Sequence, residues 1–422
     1  MVELLETIGT FNSKIMSKKT IYIIISVVLV IILALLFSYY LLAKNPDGST
    51  PSVNNVFKNF FPFGGDPVTN NDGTPSDSTD DIPPPVTTDF NQKLRKITSE
   101  QVAGAGLVDV KAGSVLRYIE RATGHIYEVE LFSPRAGRIS NTTIPMVYEA
   151  FWGNKNDSLV AQYLKEDDTT VDTYSITLKN ISTTTENTIS GTAMPLNISS
   201  VSTFGTSMFY LEQVSNASYG YVSNFDGKNK KQIWNSPIKE LLSQYVNTKT
   251  VALTTKPEQS IPGFMYFIDT NTGATRKVLG NINGLSTLAN PAGTSVLYLD
   301  QGEGALMYTY DIKTMASDNA APATFPEKCA WGKKDTKFVY CAVPKNFIGA
   351  GELTNWYKGN ISTNDDVWKY DLENKTSMIV ADLNKESGEN IDVVKPVLSD
   401  NDQYLVFINK RDNSLWSLDL TK

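Results

Sequence analysis

The chain has 422 residues, of which 41% are hydrophobic and 20% are charged, and its formal net charge is −7. This length predicts about one to three folded units, and the acidic balance argues against nucleic-acid binding, which usually needs a basic face. His125 is the only histidine, and Cys329 and Cys341 are the only cysteines. A zinc site built from Cys and His needs about four such ligands, so this class of site is excluded. Any Ser-His-Asp mechanism would depend on one histidine.

Residues 21–43 form an apolar segment without charge, proline or glycine. About 23 helical residues span roughly 34 Å, which is enough to cross the hydrocarbon core of a bilayer. A cleaved signal peptide is the alternative, but its apolar stretch is normally only about 7–15 residues long. Several lysines precede the segment, whereas only Lys44 directly follows it. The positive-inside rule therefore predicts a transmembrane helix in contact with lipid, with the stub 1–20 in the cytoplasm and the rest of the chain outside.

Residues 44–93 differ in composition from both neighbouring segments. They are rich in Pro, Asn, Asp, Ser, Thr and Gly. Such a segment buries too little apolar surface to offset the loss of chain entropy on folding. We expect a disordered linker between the membrane helix and a folded domain over residues 94–422.

The folded domain is predicted to be all-β because two sequence elements recur along it. The first is a polar turn followed by an apolar strand, and its strands begin near Val115, Leu159, Met208, Val251, Val296, Phe338 and Leu405. The second is an aromatic-x-apolar strand, often ending in Asp, and its copies begin at Tyr127, Tyr174, Tyr219, Tyr266, Tyr308, Trp368 and Trp416. A repeat of about 40–45 residues with four strands per copy indicates a β-propeller. We predict seven blades, with six or eight as alternatives.

The ends of the repeat region predict how the ring closes. The last copy stops at Lys422, just after its third strand, and residues 95–103 precede the first copy without another partner. We expect these residues to supply the missing outer strand. The linker then enters on the face that carries the first-to-second and third-to-fourth strand turns, so the opposite face can point away from the membrane.

Helical structure is expected to be sparse in this domain. The strongest candidate is residues 236–242, where Ser236 is a suitable N-cap and Pro237 occupies the first helical position. We therefore predict one short helix there.

The blade pattern, a polar turn, an apolar strand and then Tyr/Trp-x-x-Asp, resembles that of TolB-type and WD-repeat-like propellers over residues 94–422. Together with the anchor and the linker, the chain resembles membrane-tethered propellers of bacterial surfaces. The resemblance implies a binding or scaffolding role outside the cytoplasm. It brings no catalytic residues, because propellers host unrelated activities.

The longest interruption of the repeat lies inside the sixth blade, over residues 342–366, between a second and a third strand. It should therefore lie on the face away from the linker. Exposed aromatic side chains flanked by carboxylates bind sugar rings or peptides through stacking and hydrogen bonds. The candidate ligand-binding residues are Phe347, Trp356, Tyr357, Lys358, Asp365 and Asp366. The alternative is a lid in which Trp356 and Tyr357 pack over the axial channel.

Cys329 and Cys341 fall on the first two strands of the same blade, on either side of a short turn. They are predicted to be cross-strand neighbours, or one residue out of register. An extracytoplasmic location permits a disulfide between them. Two buried thiols that behave as small apolar side chains are the other interpretation.

These features favour a binding or assembly platform at the cell envelope. The expected partner is an envelope protein or a cell-wall polymer, and no nucleic acid, cofactor, metal ion or catalytic residue is predicted. One alternative is an envelope carbohydrate-active enzyme, a hydrolase or a lyase, because such chemistry needs only two carboxylates. A structural subunit that associates with its own copies is the other alternative.

Overall fold

A computed structural model describes residues 90–422 except 141, 154, 166, 168–169, 180–187, 303, 347–348 and 350. The predicted stub 1–20, the transmembrane helix 21–43 and the linker as far as residue 89 lie outside the described residues. Within the described part, no helix combines the length and apolar character needed to cross a bilayer.

The described residues form seven four-stranded antiparallel sheets, the blades of a propeller. Blade 1 contains β2 (Val102–Val110), β3 (Gly113–Glu120), β4 (Ile126–Glu130) and β5 (Ala136–Arg138). Blade 2 contains β6 (Val147–Trp152), β7 (Ser158–Leu164), β8 (Val171–Lys179) and β9 (Thr188–Ala193). Blade 3 contains β10 (Ile198–Phe204), β11 (Ser207–Val214), β12 (Ala217–Asn224) and β13 (Lys231–Ser236). Blade 4 contains β14 (Leu241–Asn247), β15 (Thr250–Thr255), β16 (Pro262–Asp269) and β17 (Thr275–Asn283).

The remaining three blades follow the same pattern. Blade 5 contains β18 (Ser286–Ala289), β19 (Ser295–Asp300), β20 (Leu306–Asp311) and β21 (Ser317–Asn319). Blade 6 contains β22 (Cys329–Trp331), β23 (Phe338–Pro344), β24 (Asp365–Asp371) and β25 (Thr376–Asp382). Blade 7 contains β26 (Val393–Leu398), β27 (Tyr404–Asn409), β28 (Leu415–Asp419) and β1 (Leu94–Thr98).

The predicted seven-bladed architecture is confirmed, rather than one with six or eight blades. Every predicted polar-turn strand is the second strand of its blade, and every aromatic-x-apolar strand is the third. First strands of neighbouring blades contact each other around the ring; between blades 5 and 6 the main contact of β18 is with Pro326–Lys328, just before β22. β26 also contacts β2, so the ring is closed. Stacking buries the second strands on both faces, and all six residues of β27 are buried. Each blade therefore depends on its neighbours for its core.

Blade 7 is assembled from both ends of the domain, as the sequence predicts. β1 pairs with β28, with Leu94 opposite Leu418, and the Asp419 amide donates to the Lys93 carbonyl at 2.8 Å. Because Leu94 lies near the end of β28, the chain enters on the face that carries the first-to-second and third-to-fourth strand turns. We call this the entry face, and the opposite side the loop face.

The prediction of a helix over residues 236–242 is wrong. Ser236 ends β13, and Leu241 begins β14, the first strand of blade 4. Ser236 Oγ does accept a hydrogen bond from the Ile238 amide at 3.1 Å, but only a short irregular connection without a helix joins the two strands. Leu241 is fully buried and pairs with Thr255, so strand pairing in the blade overrides the local helix signal.

The described helices are short and lie near blade 6. A 3-10 turn (Pro326–Lys328) precedes β22, α1 (Glu352–Tyr357) lies between β23 and β24, and α2 (Leu383–Ser387) follows β25. These segments, together with the start of β26, surround the loop-face end of blade 6.

Candidate functional site

The connection between β23 and β24, residues 345–364, is the blade-6 loop. It lies on the loop face, as predicted for residues 342–366, and it contains α1. Gly351 caps α1 with φ of 82°, a left-handed conformation that favours glycine. A Cβ atom at Gly351 would overlap the Gln259 side chain, which lies between β15 and β16 of blade 4. The loop therefore extends over the loop face as far as blade 4.

A cluster of buried ionisable groups lies under the blade-6 loop. Lys328, Asp365 and Asp392 are each 0% exposed. The Lys328 Nζ atom lies 2.7 Å from Asp365 Oδ2 and 2.5 Å from Asp392 Oδ1. Lys328 directly precedes β22, Asp365 begins β24 and Asp392 directly precedes β26, so blades 6 and 7 meet at this ammonium group.

Trp356 of α1 covers this cluster and is only 4% exposed. Its Nε1 donates to Oδ1 and Oδ2 of Asp392 at 3.0 and 3.1 Å. The indole ring lies 4.9 Å from the Lys328 Nζ and 4.4 Å from the Lys410 Nζ. Cation–π attraction and the two hydrogen bonds therefore hold the blade-6 loop against blade 7. We call Lys328, Trp356, Asp365 and Asp392 the Lys328 cluster.

The two carboxyl groups of the Lys328 cluster differ in their surroundings. Burial raises the pKa of Asp365, although the Lys328 charge and a hydrogen bond from the Val393 amide oppose the rise. Burial alone would also raise the pKa of Asp392, but the charge of Lys328 and hydrogen bonds from Lys328, Trp356 and Thr363 outweigh it and lower that pKa. Asp392 is thus the better stabilised carboxylate.

A second polar network connects the blade-6 loop to blade 5. The Tyr357 hydroxyl donates to Glu327 Oε1, which also accepts from Ser286 Oγ at 2.6 Å. Burial raises the pKa of Glu327. Although its hydroxyl is engaged, Tyr357 is 41% exposed, so part of its ring faces solvent.

The five described residues of the predicted ligand set do not share one surface. Phe347 lies outside the described residues. Trp356 and Asp365 are buried within the Lys328 cluster, so neither presents a surface to a ligand. Tyr357 is half-exposed, and the side chain of Lys358 is 62% exposed and lies 4.0 Å from Glu258.

Asp366 belongs to a separate ion-pair group at the edge of the loop. It lies 3.2 Å from the Lys345 Nζ, which also lies 2.6 Å from Asp382. Burial raises the pKa of Asp366, and the Lys345 charge opposes this. Among the described residues of the predicted set, only Tyr357 and Lys358 are exposed.

Four residues that organise the site escaped the sequence interpretation: Glu327, Lys328, Asp392 and Lys410. Each lies next to the end of a strand in a blade that follows the usual repeat pattern. The sequence around these residues therefore has no unusual composition that would mark them as a site. The only local sequence feature that marks the site is the Phe-Pro-Glu-Lys segment at 325–328, which contains the 3-10 turn before β22.

Cys329 and Cys341 form a disulfide in the structure and lie directly opposite each other on β22 and β23. Both are buried. The bond joins the start of β22 to the middle of β23. It lies directly beside Lys328, the last residue of the 3-10 turn.

The arrangement of Asp365 and Asp392 does not favour hydrolysis of a carbohydrate. A glycosidase needs two carboxyl groups that reach the sugar from an open cleft. Here both groups are fully buried and contact the same ammonium group. Their arrangement therefore gives no support to the enzymatic alternative.

No family model and no curated protein matches this sequence. Among solved structures, TolB from Acinetobacter baumannii aligns with a TM-score of 0.40 and 11% identity, covering 65% of this chain and 62% of that one. The oligogalacturonate lyase from Vibrio parahaemolyticus aligns with a TM-score of 0.46 and 11% identity, covering 76% and 97%. The Pan2 WD40 domain from Neurospora crassa aligns with 0.47 and 9% identity, covering 76% and 90%. This chain thus spans less than two thirds of the TolB chain, and the likeness concerns fold alone. The chain is a seven-bladed propeller that resembles TolB-type and WD-repeat propellers.

Proposed function

We propose that this protein is a membrane-tethered propeller outside the cytoplasm that binds an envelope protein or a cell-wall polymer on its loop face. The proposed anchor is the apolar segment 21–43, and the proposed linker is residues 44–93. The observation that carries the proposal is that the chain enters the propeller on one face and that the exposed residues of the blade-6 loop lie on the opposite face. The chain enters on the entry face, while the exposed Tyr357 and Lys358 lie on the loop face.

Two further features support this function. The Cys329–Cys341 disulfide suits an oxidising compartment, because cytosolic thiols are normally kept reduced. The blade-6 loop is held by Trp356 and Asp392 below it, so Tyr357 and Lys358 sit on a rigid support. A preorganised surface loses less conformational entropy on binding than a mobile one.

Photocrosslinking in intact cells tests the proposal. A photoreactive amino acid is placed either at Lys358 on the loop face or at Lys313, an exposed residue in the turn between β20 and β21 on the entry face. We expect irradiation to produce an adduct from position 358 and none from position 313. A discrete shifted band indicates a protein partner, whereas a smear that collapses on wall digestion indicates a polymer. Equal adducts from both positions, or none from position 358, would contradict the proposal.

A further inference from the structure

One carboxylate oxygen of the Lys328 cluster has no hydrogen-bond partner among the described residues. Asp365 Oδ1 is buried and makes no hydrogen bond in the described part of the structure. Removing a charged group from water is unfavourable, and buried ion pairs usually satisfy their remaining lone pairs to offset that cost. Asp365 therefore combines a close contact to the Lys328 ammonium group with a buried oxygen that nothing in the described part of the structure satisfies.

We propose that Lys328 and Asp365 become joined by an intramolecular isopeptide bond, with Asp392 as the group that moves the protons. The nucleophile is the Lys328 Nζ, and the electrophile is the Asp365 Cγ. The two groups are already in contact, with 2.7 Å between Nζ and Oδ2. Because the fold holds the amine and the carboxyl group next to each other, their reaction does not carry the entropic cost of bringing two separate groups together.

The hydrogen bonds assign different roles to the two carboxyl groups. Asp392 accepts from Trp356 Nε1, from the Thr363 hydroxyl at 2.9 Å and from the Thr363 amide at 3.1 Å, all of which stabilise its ionised form. Asp365 lacks such support at Oδ1, and burial raises its pKa, which favours the neutral acid. The Val393 amide donates to Asp365 Oδ2 at 2.8 Å and stabilises charge on that oxygen during attack.

The reaction balances without another reactant. The Lys328 ammonium transfers one proton to the Asp392 carboxylate, and the neutral amine attacks Cγ of the protonated Asp365. The new bond joins Nζ to Cγ, and the Cγ–Oδ1 bond breaks. A second amine proton reaches the departing hydroxyl through Asp392, so one water leaves. The amide retains one hydrogen, and Asp392 ends protonated.

The enclosure of the cluster favours this condensation. Phe325 and Leu353 are fully buried beside it, and Trp356 covers it. Exclusion of water disfavours hydrolysis of the product and strengthens interactions within the site. The product would join two residues 37 positions apart and fix the C-terminal end of the blade-6 loop to the base of blade 6.

Peptide mapping of the full chain, reduced and alkylated before digestion with trypsin, tests this proposal. The bond would prevent cleavage after Lys328 and give a branched peptide of residues 314–333 joined to residues 359–369, one water lighter than the two separate peptides. We expect this species in the wild-type protein and in Lys345→Arg, a matched control at a lysine of the separate ion-pair group with Asp366 and Asp382. It should be absent from Lys328→Arg and from Asp392→Asn, which cannot take up the proton.

The wild-type digest alone is enough to overturn the proposal, whether or not the variants fold. Free peptides 314–328 and 359–369 in the digest of folded wild-type protein would show that no bond forms. A branch to residues 386–410 would show that Asp392 is the acceptor instead, and would overturn the assigned roles.

Discussion

Leu94 lies opposite Leu418 in blade 7, so the first and the last described strands belong to the same sheet. This strand pairing joins the two ends of the domain in blade 7 and so closes the ring of blades. β1 lies at the edge of the folded region, but it completes the sheet of blade 7. Because a closed ring needs every blade to pack against its two neighbours, the stability of the whole domain should depend on β1.

Substitution of a buried β1 residue should destabilise the whole domain. Ile97 is 2% exposed and packs with the core of blades 1 and 7. We expect Ile97→Ala to lower the free energy of unfolding by about 2–5 kcal/mol, measured by chemical denaturation. The control Glu100→Ala, at an exposed position just after β1, should change it by less than about 0.5 kcal/mol. Equal, small effects would show that β1 does not contribute to closure.

The Cys329–Cys341 disulfide should stabilise blade 6 by restricting the unfolded chain. The two cysteines are 12 residues apart, and a loop of this size predicts about 2–3 kcal/mol. Denaturation with and without reductant measures the difference, and the variant Cys329→Ala/Cys341→Ala should not respond to the reductant. Alkylation of both cysteines in unfolded, unreduced protein would instead show free thiols.

The recurrent Asp at the end of third strands should contribute to stability in a pH-dependent way. Asp269, Asp311 and Asp371 each accept backbone amides two and three residues later. These hydrogen bonds hold the pKa of each carboxyl below its ordinary value of 3.8. The folded-state pKa is the lower one, so the stabilisation is present above the unfolded value and is lost as pH falls through the folded value.

A triple variant isolates this effect. We expect Asp269→Asn/Asp311→Asn/Asp371→Asn to lose less of its free energy of unfolding than the wild type between about pH 5 and about pH 2. Denaturant titrations at several pH values provide the comparison. Parallel pH profiles for the two proteins would rule out a role for these carboxyls in acid sensitivity.

Trp356 should support the blade-6 loop from within. Trp356→Ala removes both hydrogen bonds to Asp392 and leaves a cavity, so we expect a loss of about 3–5 kcal/mol in the free energy of unfolding. Lys358→Ala, two residues later and exposed, is the matched control and should leave stability unchanged. If Trp356→Ala had no more effect than the control, the loop would not depend on the Lys328 cluster.

The sequence reveals the fold because the repeat is local. Each copy places an apolar strand after a polar turn, and an Asp such as Asp311 ends the third strand where its side chain accepts turn amides. The helix expected at Ser236 shows the limit of this reasoning, since a good cap and a proline cannot outweigh the pairing of Leu241 with Thr255.

The site is far less predictable than the fold. Lys328, Asp365 and Asp392 meet only because blades 6 and 7 bring strand ends from separate repeats together. Trp356 illustrates the same limit, since an aromatic residue in a long loop serves either as a ligand contact or as a cover. Its burial against Asp392 assigns it the second role.

The decisive measurement is lysine labelling with a membrane-impermeant amine reagent on sealed cells, read out by mass spectrometry of the full chain. If the propeller is tethered outside the cytoplasm, Lys313 and Lys358 are modified in sealed cells, while Lys14, Lys18 and Lys19 react only after permeabilisation. Protection of Lys313 and Lys358 until permeabilisation would contradict the proposed location and, with it, the proposed binding role at the cell envelope.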